Sequence, residues 1–498
     1  MTNTQGRTKR PGSLTRRQAI AYTVAALTTA SLMSTTVYAQ SVDLSQWSPE
    51  YIKSIAGTAT YDTAADCGAV VPNDYTGRVS YWYTGPFEAD PKIAHEQDAA
   101  FWEAFKVAYP NIQTDVQSIT YNELLDKFRT SLLGNAAPMV VRLQILGGVE
   151  FSAKGYLNPL QPEDVGYTTA DFWPGAMKSV TWEGTPYGIP TNNETMGFIW
   201  NAKIFADAGL DPEAPPATWD DVVTYSKQIH DKLGISGYGL VAKQNAGNTP
   251  FRFMPQMWAY GGGALDETSA APTYETIELN NDGSKAALQA AYDMYVRDKS
   301  APTSALTNTQ AENQGPFIAG QLAMMIAHPA EYAKMLDLAS QATGADKAVA
   351  DAVVENMRYG LIPEGPARRA VVFGGSNIHV VKPEYVEGGY DEQAAKALIC
   401  MWTSPEWSTK LAWVGSNPGH LGGFKTEWMK ERLDTIKFLD VTTSMLPNGI
   451  PFPVLPYAPE IMNIIVPDMM QNALTGTMTV DEAADDAAAK VQELMSGM

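Results

Sequence analysis

Arg78-Val79-Ser80-Tyr81-Trp82-Tyr83-Thr84-Gly85-Pro86 is where regular patterning begins in this 498-residue chain. The run through Tyr83 reads as a strand rich in valine and aromatic residues, and Thr84-Gly85-Pro86 supplies its stop. Working outward, residues 94–109 put Phe101, Trp102 and Phe105 on one helical face, and residues 112–119 read as a second strand. Residues 121–133 carry Leu124, Leu125, Phe128 and Leu132 at helical spacing, and Pro138 opens a third strand over 139–145. A β-α-β-α-β order with short connections predicts an α/β lobe with a mostly parallel sheet.

The pattern changes near Gly188-Ile189-Pro190. An apolar strand over 196–200 runs into a helix over 201–208; Pro215-Pro216-Ala217 breaks the chain, and Thr218 reads as the N-cap of a helix over 219–233. Further α/β material follows to about residue 350, with an Ala-rich surface helix over 342–355. A short strand over 371–373 runs into Gly374-Gly375, helices follow over 385–413, and an acidic amphipathic helix over 479–495 has Thr479 as its cap. The chain shows no internal repeat and no coiled coil.

The first 39 residues read as an export address. Arg7, Lys9, Arg10, Arg16 and Arg17 precede an uncharged apolar stretch over 19–37, and Val37-Tyr38-Ala39 offers a cleavage site that would leave Gln40 as the new N-terminus. Arg16-Arg17, preceded by Thr15, reads as a twin-arginine signal, with general secretion as the other route; Ala19 stands where that motif often has Phe. No Cys follows the apolar stretch closely, so the expected product is free in the periplasm of a two-membrane bacterium, without a direct membrane anchor. Past residue 39 the chain keeps all 55 acidic residues and 30 of its 35 basic ones, a net charge of −25. Such a field repels nucleic acid and anionic membranes and suits a neutral or cationic ligand. About 460 residues exceed what one core supports, which predicts two lobes of roughly 150–250 residues. The two cysteines, Cys67 and Cys400, are either a disulfide, which the compartment permits, or two separate buried thiols.

Catalytic motifs are missing. His95-Glu96 begins like HExxH, but residue 99 is Ala; no G-x-S-x-G elbow and no phosphate loop occur, and the five histidines are scattered. No cofactor and no metal are called for, and the expectation is a protein that is not an enzyme. Twelve Trp and 23 Tyr supply flat surfaces suited to the C–H faces of sugars, although most aromatics in any chain serve the core.

An ordered set of local patterns resembles the extracellular solute-binding proteins of the maltose-binding type (family 1), from about Arg78 to Met495. It comprises Ala137-Pro138-Met139-Val140-Val141, with Met for the usual Asp, and Gly155-Tyr156-Leu157-Asn158-Pro159-Leu160. Then come Tyr187-Gly188-Ile189-Pro190-Thr191-Asn192-Asn193-Glu194, Phe198-Ile199-Trp200-Asn201 and Pro216-Ala217-Thr218-Trp219-Asp220-Asp221-Val222. Phe317-Ile318-Ala319-Gly320-Gln321-Leu322-Ala323-Met324-Met325, Ser404-Pro405-Glu406 and Gly476-Thr477-Met478-Thr479-Val480-Asp481-Glu482-Ala483 complete it. The resemblance implies an α/β, two-lobed periplasmic binding protein fold (type II) with discontinuous lobes joined by crossing hinge segments, near 191–195, near 374–377 and within 415–450. The expected division is residues 1–39 as signal and 40–76 as N-terminal extension. Residues 77–192 and about 377–420 would form the first lobe, and 193–376 and about 421–498 the second.

By the same resemblance, ligand contact is expected at Tyr83 and Thr84 after the first strand, at Arg142 and Gln144 at the end of the third, and at Asn193 and Glu194 in the first crossing. Further contacts are expected at Phe251 and Arg252, Trp258, His328, and Gly375 and Asn377 in the next crossing, where backbone N–H groups would be free to approach a ligand. Arg142, charged within an apolar strand, calls for a partner, either a sugar hydroxyl or a structural carboxylate. Ala330 and Glu331 stand where the family carries a stacking Trp, which argues against a maltodextrin specificity. The implied function is that of a monomeric binder that takes a small-molecule carbohydrate between its lobes and delivers it to the membrane subunits of an ABC permease. The alternatives are a polyol, glycerol phosphate or polyamine binder, or a periplasmic polysaccharide hydrolase or lyase.

Overall fold

The computed structural model of the chain describes residues 66–86, 92–244, 247–266, 276–412, 415–436 and 438–496. The export signal read over 1–39, and the extension as far as residue 65, lie outside the described residues.

Gly77–Tyr83 (β1), Ile112–Ser118 (β2) and Val140–Gln144 (β3) run parallel with β1 in the middle, connected by the helices Lys92–Ala108 and Tyr121–Leu133. This is the β-α-β-α-β unit expected from the patterning. A short hairpin of Thr181–Trp182 (β4) and Thr185–Pro186 (β5) leads to Ile189–Glu194 (β6). Only Thr195 and Met196 separate β6 from Gly197–Asn201 (β7), which belongs to another sheet. That sheet adds Ser236–Tyr238 (β8), Leu322–Ala327 (β9) and Met357–Gly360 (β10), in the order β10-β7-β9-β8. The chain returns through Val371–Val372 (β11) to Gly374–Val380 (β12), and later supplies Asn417–Pro418 (β13) and Gly449–Ile450 (β14). The first sheet is ordered β13-β6-β12-β3-β1-β2, and β11 pairs with β14 in a separate two-stranded sheet.

One expectation is corrected here. The sequence suggests a crossover at Gly375–Asn377 with backbone N–H groups free to approach a ligand, yet this stretch lies inside β12, which pairs with β3 on one side and β6 on the other. Gly375 O also accepts Ile145 N–H at 3.1 Å. Two adjacent glycines argue against a strand when read locally, but this one is sandwiched between two others and needs no side-chain propensity of its own. Gly375 has φ +140°, and a Cβ there would sit 2.2 Å from Asn192 O, so the close approach of β6 and β12 requires glycine.

Each sheet is covered on both faces, as expected for sheets built through helical crossovers. On the first, Val79, Tyr81, Tyr83, Val140 and Ile378 pack against Phe101, Phe105 and Leu398, while Val141 and Leu143 meet Phe128, Leu132 and Phe151. On the second, Phe198, Trp200, Met324 and Ile326 pack with Trp219, Met257 and Trp258, while Ile199, Met325 and Ala327 meet Phe317, Met335 and Phe438. β13 belongs to the first sheet and Phe438 to the second core, so the chain crosses again between them. Thr195 Oγ1 donates to Thr442 O, which ties the first crossing to the stretch after the last. A Cys67–Cys400 disulfide, Cα–Cα 5.8 Å, fastens the helix Cys67–Val70 to the helix Glu392–Trp402 of the first lobe.

Candidate functional site

A cavity of about 330 Å³ opens where the carboxyl ends of β1, β3 and β6 meet the start of β12. Open α/β sheets bind ligands at that end of their strands, because the chain reverses there and side chains from several connections converge. Tyr83 and Thr84 come from the end of β1, Arg142, Gln144, Ile145 and Leu146 from the end of β3, and Thr191, Asn192 and Glu194 from β6. The second lobe adds Phe251, from the helix Asn248–Ala259, and Lys334, from the helix Pro329–Gln341.

The aromatic wall has a deep foundation. Tyr83 stacks on Tyr81 with centroids 5.0 Å apart, and Trp402 meets Tyr83 edge-on at 5.4 Å. Phe101 and Trp102 complete the cluster behind them, so Tyr83 and Trp402, both lining the cavity, are held rigidly. Across the cavity Phe251 packs edge-on against Phe452 at 5.0 Å.

The charged groups are arranged around Arg142. Its Nε donates to Thr191 Oγ1 at 2.8 Å, Nη2 to Asn192 Oδ1 at 2.6 Å and Nη1 to Thr84 O at 3.4 Å. The partners are neutral oxygens, rather than the structural carboxylate weighed from the sequence. Burial pushes the guanidinium below its usual pKa, and nearby Tyr81, Glu194, Tyr83 and Asp98 oppose that push. Asp98 accepts from Tyr83 OH at 2.8 Å, and burial raises its carboxyl above the usual range. Glu194 Oε2 accepts from Ser416 Oγ at 3.0 Å. The loop bearing Leu411 and Ser416 is pinned by Arg432, whose guanidinium donates to the carbonyls of Thr409, Ala412 and Ser416; burial lowers its pKa to about 9.

Of the residues singled out in the sequence, Tyr83, Thr84, Arg142, Gln144, Glu194, Phe251 and Gly375 line this cavity. The others lie off its lining. Asn193 faces away, donating to Pro418 O at 3.1 Å, because neighbours in a strand point to opposite sides. Asn377 is buried on the far side of β12 against Ser179 Oγ, 3.2 Å away. Arg252 is paired with Glu331 in the second lobe, and Trp258 is fully enclosed in that lobe's core. His328 caps the helix Pro329–Gln341, with Nε2 3.4 Å from Glu194 Oε2. Sequence reasoning did not single out Asp98, Thr120, Lys334, Trp402, Leu411 or Ser416 as lining residues. Asp98 and Trp402 sit on helices whose apolar periodicity reads as core packing, and only the fold shows their other edge.

Among the described residues no cluster of His, Cys, Asp and Glu could hold a metal ion, and no helix is long and apolar enough to cross a membrane.

The profile of the bacterial extracellular solute-binding proteins matches residues 91–408. The chain is 23% identical over 458 residues to a probable amino-acid ABC transporter periplasmic-binding protein of Sinorhizobium fredii, covering 89% of this chain and 95% of that one. Its structure is similar to the GacH receptor of Streptomyces glaucescens, solved unliganded and with acarbose and an acarbose homolog. The TM-score is 0.67 at 21% identity, over 85% of this chain and 99% of the receptor. UgpB from Mycobacterium tuberculosis in complex with glycerophosphocholine gives TM-score 0.67 at 17% identity, over 85% and 99%. The chain therefore belongs to the bacterial extracellular solute-binding proteins of ABC transporters, in the two-lobed type II periplasmic binding protein fold.

Proposed function

We propose that this chain is the periplasmic substrate-binding component of an ABC importer and that its solute is a short sugar or oligosaccharide, released to the permease without chemical change. The observation that carries this reading is the lining: the half-buried ring of Phe251 and the edges of Tyr83 and Trp402, which expose only 4% and 3% of their surface, set among the hydroxyls of Thr84, Thr120, Thr191, Ser376 and Ser416 and the amides of Gln144 and Asn192. Rings suit the apolar faces of a pyranose, and the polar belt suits its hydroxyls. Arg142 and Lys334 balance Asp98 and Glu194 in charge, which favours a neutral solute over a phosphate ester. A cavity of about 330 Å³ is at the small end of ligand sites, which favours one or two sugar rings over a long chain.

In this reading the solute touches both lobes only when they are closed, so its binding favours that form. The closed form docks on the permease. The chain is exported through its N-terminal signal and acts as a free monomer. The related GacH receptor is solved with acarbose, a saccharide-like ligand, which supports the same direction.

A second reading follows from one observation: the buried Arg142 touches only neutral oxygens. Its spare N–H groups suit a carboxylate, while Asp98 beside two aromatic rings suits an ammonium, as in a zwitterion such as an amino acid. The S. fredii relative carries an amino-acid description and UgpB holds a zwitterionic phosphodiester. A thermal-shift panel of mono- to trisaccharides, polyols, amino acids, polyamines and glycerophosphodiesters separates these. Stabilisation by a saccharide alone supports the first reading. Silence from every carbohydrate with a clear amino-acid response replaces it with the second, and product formation from a glycan would make the chain an enzyme.

A further inference from the structure

His328 follows β9 and caps the helix Pro329–Gln341, its Nδ1 accepting Ala330 N–H at 3.1 Å. A ring nitrogen that accepts a hydrogen bond carries no proton, so the neutral imidazole must hold its proton on Nε2; the tautomer is assigned from this cap. Nε2 is buried, makes no hydrogen bond, and lies 3.4 Å from Glu194 Oε2. That same oxygen accepts Ser416 Oγ at 3.0 Å. His328 belongs to the second lobe, Ser416 stands just before β13 of the first, and Glu194 ends β6 at the crossing between them.

The close approach of the lobes here is built into the backbone. Gly415, at φ +93°, precedes Ser416, and a Cβ on it would lie 2.2 Å from Pro329 Cβ. Burial holds the imidazole below its usual pKa, with Arg252 and Lys334 pushing the same way and Glu194 opposing, so the ring is a neutral donor.

We propose that His328 is a positioning residue: it contacts no solute but presents its unused Nε2–H to Glu194 Oε2 from the opposite lobe, 3.4 Å away, beside the oxygen's hydrogen bond from Ser416, leaving Oε1 as the carboxylate's acceptor for the solute. This rests on the cavity being the solute site.

The test needs two variants that differ in reach. Asn is a good N-cap and keeps the acceptor for Ala330 N–H, but is too short to reach Glu194; Gln places an amide N–H near the position of Nε2. With the saccharide that gives the largest thermal shift as probe, His328→Asn should bind about tenfold more weakly, and His328→Gln within about threefold of the parent. In the Glu194→Gln background, His328→Asn should add little. If Glu194→Gln weakens binding but His328→Asn does not, the positioning role is overturned while the site stands; if neither weakens it, the site itself is overturned. Nitrogen-15 spectra of the ligand-free protein, with His328 assigned through His328→Gln, provide an arm independent of any solute. Nε2 should be the protonated nitrogen and its resonance should move in Glu194→Gln. A proton on Nδ1, or an Nε2 signal indifferent to Glu194→Gln, overturns the proposal.

Discussion

On the first lobe's side of the cavity, Arg142 is buried among neutral oxygens and keeps spare N–H groups beside the cavity. In the second lobe, Arg252 is more deeply buried, 7% exposed, and locked onto Glu331, away from the lining. Both sit within a few residues of a side chain that lines the site, and sequence alone treats them alike. The difference is what each cation is left to do. An arginine held by hydroxyl, amide and carbonyl oxygens is oriented without being neutralised, so its charge remains available to a guest. One paired with a carboxylate is spent on the protein itself. The first lobe accordingly supplies most of the polar lining, while the second brings Phe251 and Lys334 to close it.

The comparison breaks most visibly at Arg252. Arg252→Met strands a buried carboxylate and should cost about 3–5 kcal/mol in urea denaturation, whereas Arg252→Met with Glu331→Leu should recover most of it. Saccharide affinity of the folded protein should change little in either. A full loss of affinity in the double variant would show that the second arginine also reads the solute.

Acid sharpens the contrast from the other side. His379, buried in the first lobe with Nδ1 2.8 Å from Tyr187 O, has its pKa lowered from 6.5 to about 4 by burial. A base that is harder to protonate when folded leaves stability intact above the unfolded value of 6.5 and loses it as pH falls from there toward 4. The loss is about 3 kcal/mol if the whole shift is realised. Denaturation series at pH 7, 6, 5 and 4 should show this slope, and His379→Gln should reduce it while leaving the share of His420, whose pKa burial also lowers to about 4.

Arg142→Met should weaken solute binding about 100-fold by titration calorimetry, since the loss of a charge-assisted donor set is worth about 1.5–3 kcal/mol. It should be gentler on stability than Arg252→Met, because the groups left behind are neutral. Equal destabilisation by the two variants would erase the distinction drawn above. The smallest effect is expected at Phe251: Phe251→Leu keeps the apolar closure but loses the ring face, and should weaken binding about fivefold, within the range of aromatic packing contributions.

The β-α-β-α-β unit was legible because Phe101, Phe105, Leu124 and Phe128 announce amphipathic helices between apolar strands. β12 was not, because Gly374-Gly375-Ser376-Asn377 carries no strand signal and its conformation is imposed by β3 and β6 on either flank. Of the residues that the family resemblance pointed to at strand ends, Tyr83, Arg142 and Glu194 line the cavity. The resemblance failed one residue away at Asn193, which the pleat turns to β13. Trp402 and Asp98 were unreadable for another reason: each lies on a helix that packs on the sheet, and which edge meets the cavity depends on how far that helix extends past the strand ends.

The two-residue passage from β6 to β7 has a consequence for measurement. Thr195 and Met196 can span no more than about 7 Å fully extended, so the halves cannot slide apart along this link and can only swing about it. A lever travels least at its fulcrum. Spectroscopic tags beside Glu194 should therefore move less than a pair carried one on each half, such as Lys127 on the helix Tyr121–Leu133 and Lys347 on the helix Gly344–Asn356.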